Sequence, residues 1–133
     1  VLIYMDIDHF LTVNETYSHQ AGDAVIVGVT ALAREIFGAE AILGRYGGDE
    51  TAILLRGVER EEAFLATERL RQAVEAKKKY EHEGKSWDIQ VTICAGLAAF
   101  AADGRSNYEL LRKADQALYR AKSEGRNRAV CAG

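Results

Sequence analysis

The sequence predicts an α/β (α+β) domain in which helices pack against a mixed sheet. Three observations carry that expectation. Short strand-like runs alternate with helical patterns in the order β-α-β-β-α-β-α. Two of the strands are joined by a Gly-Gly turn, which inserts an antiparallel hairpin between helical crossovers, close to the split βαβ pattern. The chain has 133 residues, 48% apolar and 28% charged, with no proline. That suits one domain with its own core and continuous regular structure, without staples or a Pro-rich linker.

Each element follows from its local pattern. Val1–Met5 is almost wholly apolar and reads as a strand buried on both faces. It ends in Asp6-Ile7-Asp8-His9-Phe10, and a polar stretch runs on to Gly22. From Asp23, apolar Val25, Val29, Leu32, Ala33 and Ile36 recur at helical spacing, with Gly38 as the stop. Gly28 costs that helix about 1 kcal/mol against alanine, which points to close packing there. Ala41–Tyr46 and Thr51–Leu55 read as strands flanking Gly47-Gly48-Asp49-Glu50. Glu59–Ala76 is helical and runs into Lys77-Lys78-Lys79, charges that suit a helix C-terminus. Residues 81–88 read as polar loop. Ile89–Ile93 alternates as a strand, and Cys94–Phe100 continues it with small apolar residues. Asn107–Ser123 is the last helix, closed by Gly125.

Charge narrows the classes of function. The formal net charge is −3, which disfavours a general nucleic-acid binder. Residues 1–59 hold three basic and nine acidic groups, a balance of −6; residues 60–133 hold fourteen and eleven, a balance of +3. An acidic half and a basic half in one domain could together hold a metal and an anion, or could be two solvated faces. Cys94 and Cys131 have no CxxC spacing and no disulfide framework, which points to a reducing, cytoplasmic compartment. No apolar run reaches the ~20 residues a membrane span needs, and no signal-peptide pattern is present. A chain that begins directly in a strand and not with Met reads as a piece of a longer protein.

Four groups of residues could carry chemistry. Asp6 and Asp8 lie where a buried strand meets solvent, the usual place for a site on an open sheet, although carboxylates also end strands merely as solubilising or capping groups. Gly47-Gly48 lets backbone approach a ligand, and Asp49 and Glu50 follow at once. Were the hairpin central, three or four carboxylates would converge and require a cation, with hard oxygen ligands selecting Mg²⁺ or Mn²⁺. Otherwise the segment is an ordinary turn with exposed acids. Lys122 and Arg126 sit at the end of the last helix, either as a basic C-cap or as a clamp on phosphate oxygens. Asn14, His19 and Asp23 follow the first strand; Asp23 could simply favour a helix N-terminus, while a carboxamide and a carboxylate can also read the edge of guanine.

Five stretches in order, MDIDHF (5–10), NETYSHQAGD (14–23), RYGGDE (45–50), ADQALYRAK (114–122) and GRN (125–127), make the chain similar to the GGDEF family, the diguanylate cyclase domains of bacterial signalling proteins. The resemblance covers nearly the whole chain. It implies a palm-like, mainly antiparallel sheet flanked by helices, as in nucleotidyl cyclases, and the joining of two GTP into cyclic di-GMP with release of two pyrophosphates. Position by position, it implies two Mg²⁺ or Mn²⁺ per GTP site, held by Asp6, the carbonyl of Ile7 and Asp49. Glu50 would assist at the metal or in proton removal, with Asp49 and Glu50 both open as the base. Asn14, His19 and Asp23 would line the guanine pocket, and Lys122 and Arg126 would hold the terminal phosphates. It further implies a homodimer for turnover, an upstream sensory or receiver module, and no contact of this domain with nucleic acid or membrane.

Several positions depart from the family pattern. Leu11 stands where lysine is usual, Glu15 for aspartate, Ser18 for glycine, Thr51 for phenylalanine and Cys94 for serine. The Arg-x-x-Asp of the family's inhibitory product site falls on Gly38 and Ala41, so that feedback is not expected. The N-terminal helix with its Asp-x-Leu-Thr turn does not occur in this chain. The alternative these departures leave is a catalytically degenerate domain that binds GTP or a protein partner and regulates without turnover.

Overall fold

At the centre of the fold, β1 (Leu2–Ile7) is hydrogen-bonded on both edges, antiparallel to β3 (Glu50–Leu54) and to β6 (Ile93–Ala98). The computed structural model describes residues 1–133. β2 (Ile42–Arg45) pairs with β3, and β7 (Arg128–Cys131) lies parallel to β6, giving the sheet order β2-β3-β1-β6-β7. Only the β6–β7 pair is parallel, so the sheet is mixed and mainly antiparallel, as expected.

Side-chain alternation along the strands builds two cores. Ile3, Met5 and Ile7 of β1, with Ile93, Ala95 and Leu97 of β6, face α2 (His19–Phe37) and α3 (Arg60–Ala76). Tyr4, Cys94 and Ala98 face α4 (Asn107–Ser123) on the other side. This double burial explains the unbroken apolar run of β1. The face of β2 and β3 beside α4 remains uncovered: Leu2, Ile42, Tyr46, Leu54, Tyr108 and Leu111 line an apolar groove of about 360 Å³.

The observed order departs from the expected one in five places. The polar stretch after β1 contains a short helix, α1 (Phe10–Thr16), anchored by buried Val13. Helix α2 begins at His19, because the Ser18 hydroxyl accepts the Ala21 N–H at 3.0 Å and caps it; Asp23 therefore lies in its second turn. Residues expected as polar loop form a hairpin, β4 (Lys79–His82) and β5 (Lys85–Asp88), turned by Glu83 and Gly84 at φ 50° and 79°. Ile89 and Val91 are buried, but the strand proper is confined to β6. Finally, the parallel edge strand β7 follows α4. The close packing expected at Gly28 is present: a Cβ there would lie 2.5 Å from the ring of Tyr80 in β4. No helix is long and apolar enough to cross a membrane.

Candidate active site

Asp6 closes the buried strand β1 on the α4 side, where the register sets it opposite Glu50 of β3 and Cys94 of β6. The residue is 7% exposed. One oxygen pairs with the Lys122 ammonium from the last turn of α4; the other is buried without a hydrogen-bond partner. An orphaned buried carboxylate oxygen is costly unless a further donor or cation meets it.

The β2–β3 hairpin brings the second acid. Asp49 precedes β3, and its carbonyl accepts the Ile7 N–H at 3.3 Å, which ties the hairpin to the end of β1. Burial, then the close approach of the Asp6 carboxylate and repulsion from it, with Glu50 adding to it, push the Asp49 carboxyl up to about 7. Glu50 turns toward Tyr4, whose hydroxyl donates to it at 3.2 Å. Burial and Glu50 push that phenol up to about 12. Glu50 also folds beneath Gly47, where a Cβ would stand 3.0 Å from its carboxylate.

The cations come from the far end of α4. Burial pulls Lys122 down, but Asp6, Glu50 and Asp49 outweigh it and hold the ammonium above the usual lysine value. The helix then stops through Gly125 at φ 122°, with the Arg126 N–H donating to the Ala121 carbonyl at 3.0 Å, a Schellman closure. Arg126 stands at φ 66° with its guanidinium 3.7 Å from Asp8. Asp8 itself is 3% exposed and accepts from the Thr92 hydroxyl at 2.7 Å and the Asn127 N–H at 2.9 Å. Asp8 is a candidate in the sequence as a strand-end acid, but Thr92 and Asn127 are not; their meeting with it depends on β7 and the 89–92 segment.

Asn14, His19 and Asp23 form a separate shoulder on α1 and α2, directly after the β1 turn. The Asn14 carboxamide oxygen is buried without a partner against Gly22, where a Cβ would come within 1.9 Å of it. His19 and Asp23, one helical turn apart on α2, are exposed. Convergence of three or four carboxylates is present as a close pair, Asp6 and Asp49, with Glu50 beside it. No three His, Cys, Asp or Glu side chains are arranged to hold an ion by themselves. Two carboxylates with one free buried oxygen still suit a hard cation, which typically completes its shell from water and substrate phosphates.

The family described as "Diguanylate cyclase, GGDEF domain" matches residues 1–128. The chain belongs to the GGDEF family. It is 35% identical to diguanylate cyclase A of Treponema denticola over 97% of this chain and 34% of that protein. A probable diguanylate cyclase of Escherichia coli, DgcC, is 33% identical over 98% of this chain and 34% of its own length. The chain thus spans about a third of the length of these curated relatives. Among solved structures, the active GGEEF domain of a diguanylate cyclase from Vibrio cholerae superposes with TM-score 0.88 at 30% identity, covering 99% of this chain and 81% of that one. The GGDEF domain of DgcB from Caulobacter crescentus, solved in complex with c-di-GMP, gives 0.87 at 30% identity over 98% and 76%.

Within this GGDEF domain the departures fall in distinct surroundings. Leu11 is 68% exposed on α1. Thr51 is half-buried on the α2 side, opposite Met5, and borders a groove of about 460 Å³ with Ile26, Val27 and Leu43. Cys94 is fully buried; burial and neighbouring Asp8 push its thiol up to about 12, so it is inert as a nucleophile. Gly38 caps α2 at φ 87°, a conformation that would strain an arginine.

Proposed function

We propose that this domain condenses two GTP into cyclic di-GMP and two pyrophosphates. The observation that carries the reading is the Asp6–Asp49 pair at the end of β1, in reach of Lys122 and next to the Arg126 turn. Acids that suit a divalent cation and bases that suit a polyphosphate stand side by side. Asp6, Asp49 and the Ile7 carbonyl would hold Mg²⁺ or Mn²⁺, two ions per GTP in the family pattern, with Glu50 alongside. Such a cation, when bound, lowers the pKa of the attacking 3′-hydroxyl and neutralises charge on the phosphate.

The chain's own residues supply the rest. Lys122 and Arg126 would bind and orient the β- and γ-phosphates, fixing the α-phosphorus for in-line attack. Lys122 must exchange its pairing with Asp6 for phosphate, which frees that carboxylate for a cation. Glu50 holds only the Tyr4 hydroxyl, so it is free to take the 3′-hydroxyl proton; Asp49, already crowded by Asp6, is the less free of the two. Asn14, with its unpaired buried carboxamide oxygen, and Asp23 would meet the donor edge of guanine, with His19 flanking. Positioning and electrostatics account for most of such a transfer. We further propose that the chain is one domain, residues 1–133, of a longer cytoplasmic signalling protein with an upstream sensory or receiver module. Relatives about three times its length support that.

Leu11 favours a second reading, a degenerate domain that binds GTP or a protein partner without turnover, since an exposed apolar side chain replaces a cation on α1. Incubation of the full-length protein with GTP and Mg²⁺ or Mn²⁺ separates the two. Cyclic di-GMP is the expected product. GTP binding without product, even under enforced dimerisation, would overturn the catalytic reading.

A further inference from the structure

Arg126 and Asn127 are consecutive non-glycine residues in the left-handed region, at φ 66° and 46°. Asparagine tolerates this region, but arginine there is intrinsically unfavourable, and the turn persists where neighbours hold it. The neighbours here are specific. The Asn127 N–H donates to buried Asp8 at 2.9 Å, fixing the backbone. Its carboxamide is gripped from α3: the oxygen accepts from Arg71 at 3.1 Å, and the nitrogen donates to Glu75 at 2.6 Å. Arg71 is itself held by Glu68 through two hydrogen bonds of 2.7 and 3.2 Å, and its side chain is 16% exposed. Arg126, by contrast, makes only a 3.7 Å ion pair with Asp8 and remains 39% exposed at the side chain. Its backbone is pinned while its guanidinium is left available.

We propose that Asn127, with Arg71 and Glu75 of α3, acts as a positioning network that aims Arg126 at the polyphosphate end of a nucleoside triphosphate. None of the three touches that end; they act through the conformation of the α4–β7 turn. The inference rests on the phosphate role of Arg126 proposed above. It also makes α3 a mechanical partner of the site, since displacing α3 from the turn releases Arg126.

The test is a double-mutant cycle on the full-length protein, reading GTP and GMP affinity in Mg²⁺ at protein concentrations where no product accumulates. Arg126→Ala should weaken GTP about tenfold, the worth of one charged contact, and leave GMP unchanged. Asn127→Ala and Arg71→Gln should each weaken GTP severalfold, leave GMP unchanged, and add nothing in the Arg126→Ala background. Arg71→Gln keeps a polar, uncharged side chain of similar reach on α3 and carries the test should Asn127→Ala not fold. GTP affinity unchanged in both, losses that add fully to that of Arg126→Ala, or equal losses for GMP would overturn the network while the phosphate reading stands. GTP affinity unchanged in Arg126→Ala would instead overturn the phosphate reading, and this inference with it.

Discussion

Asp49 is the residue whose protonation the fold alters most informatively. In the folded chain its carboxyl titrates at about 7, against about 4 for an unperturbed aspartate. Between those values the folded chain retains a proton that the unfolded chain has lost. Stability of the metal-free domain therefore falls as pH rises from about 4 to about 7. Asp49→Asn keeps the shape and removes the charge. Thermal melts in EDTA should show the variant more stable than the parent at pH 8 and no gain at pH 4. Mg²⁺ should then raise the Tm of the parent but not of Asp49→Asn. A parent melting temperature indifferent to pH over this range would contradict the crowding of Asp49 by Asp6. The acids themselves were legible in the sequence, because a buried strand ending in Asp6 and a Gly-Gly turn ending in Asp49-Glu50 are local patterns. Asp8 was less so: its importance comes from Thr92 and Asn127, over 80 residues away, and nothing local announces that meeting.

At the scale of elements, the distance between α4 and the sheet decides where Lys122 stands. Gly96 of β6 sets that distance: a Cβ there would lie 2.1 Å from the Ala114 carbonyl oxygen and 2.3 Å from the Leu118 nitrogen. Both are backbone atoms, so a methyl group can be accommodated only by lifting the helix. Gly96→Ala should destabilise the domain by about 3 kcal/mol, the upper end of ordinary overpacking, as read from urea unfolding. A loss under 0.5 kcal/mol would mean that α4 is not seated as described. Thr51 presents the opposite case, a side chain too small for its groove beside α2. Thr51→Phe should stabilise by about 1 kcal/mol in the same assay, as cavity filling commonly does. Helices α3 and α4 were readable because each buries one face at a 3.6-residue period. The β4–β5 hairpin was not, since its strands are mostly polar and of its apolar side chains only Tyr80 and Trp87 lie inward, the one fully and the other half-buried. Nor was β7, whose four residues RAVC acquire strand character only by pairing with β6.

Taken whole, the domain carries one set of acids and one basic helix end, so on the proposed reading it would offer one place for one triphosphate. A cyclic product with two identical linkages requires that each α-phosphate be attacked by the other nucleotide's 3′-hydroxyl. Under the proposed function two copies would therefore face one another, and the sign asymmetry of the chain suits this: its acidic first half would recruit the cation, and its basic second half would hold the phosphates within the same copy. The partner copy then need contribute only its nucleotide. Turnover per domain should accordingly rise in proportion to protein concentration while the chain is mostly monomeric, and level off once pairs predominate. Cyclic di-GMP formation followed over a hundredfold range of concentration, alongside light scattering, reads this directly. Fusion to a parallel dimeric coiled coil should remove the concentration dependence. Constant specific activity from a chain shown to be monomeric throughout that range would mean that a single copy suffices, and that a second nucleotide site exists on the same domain.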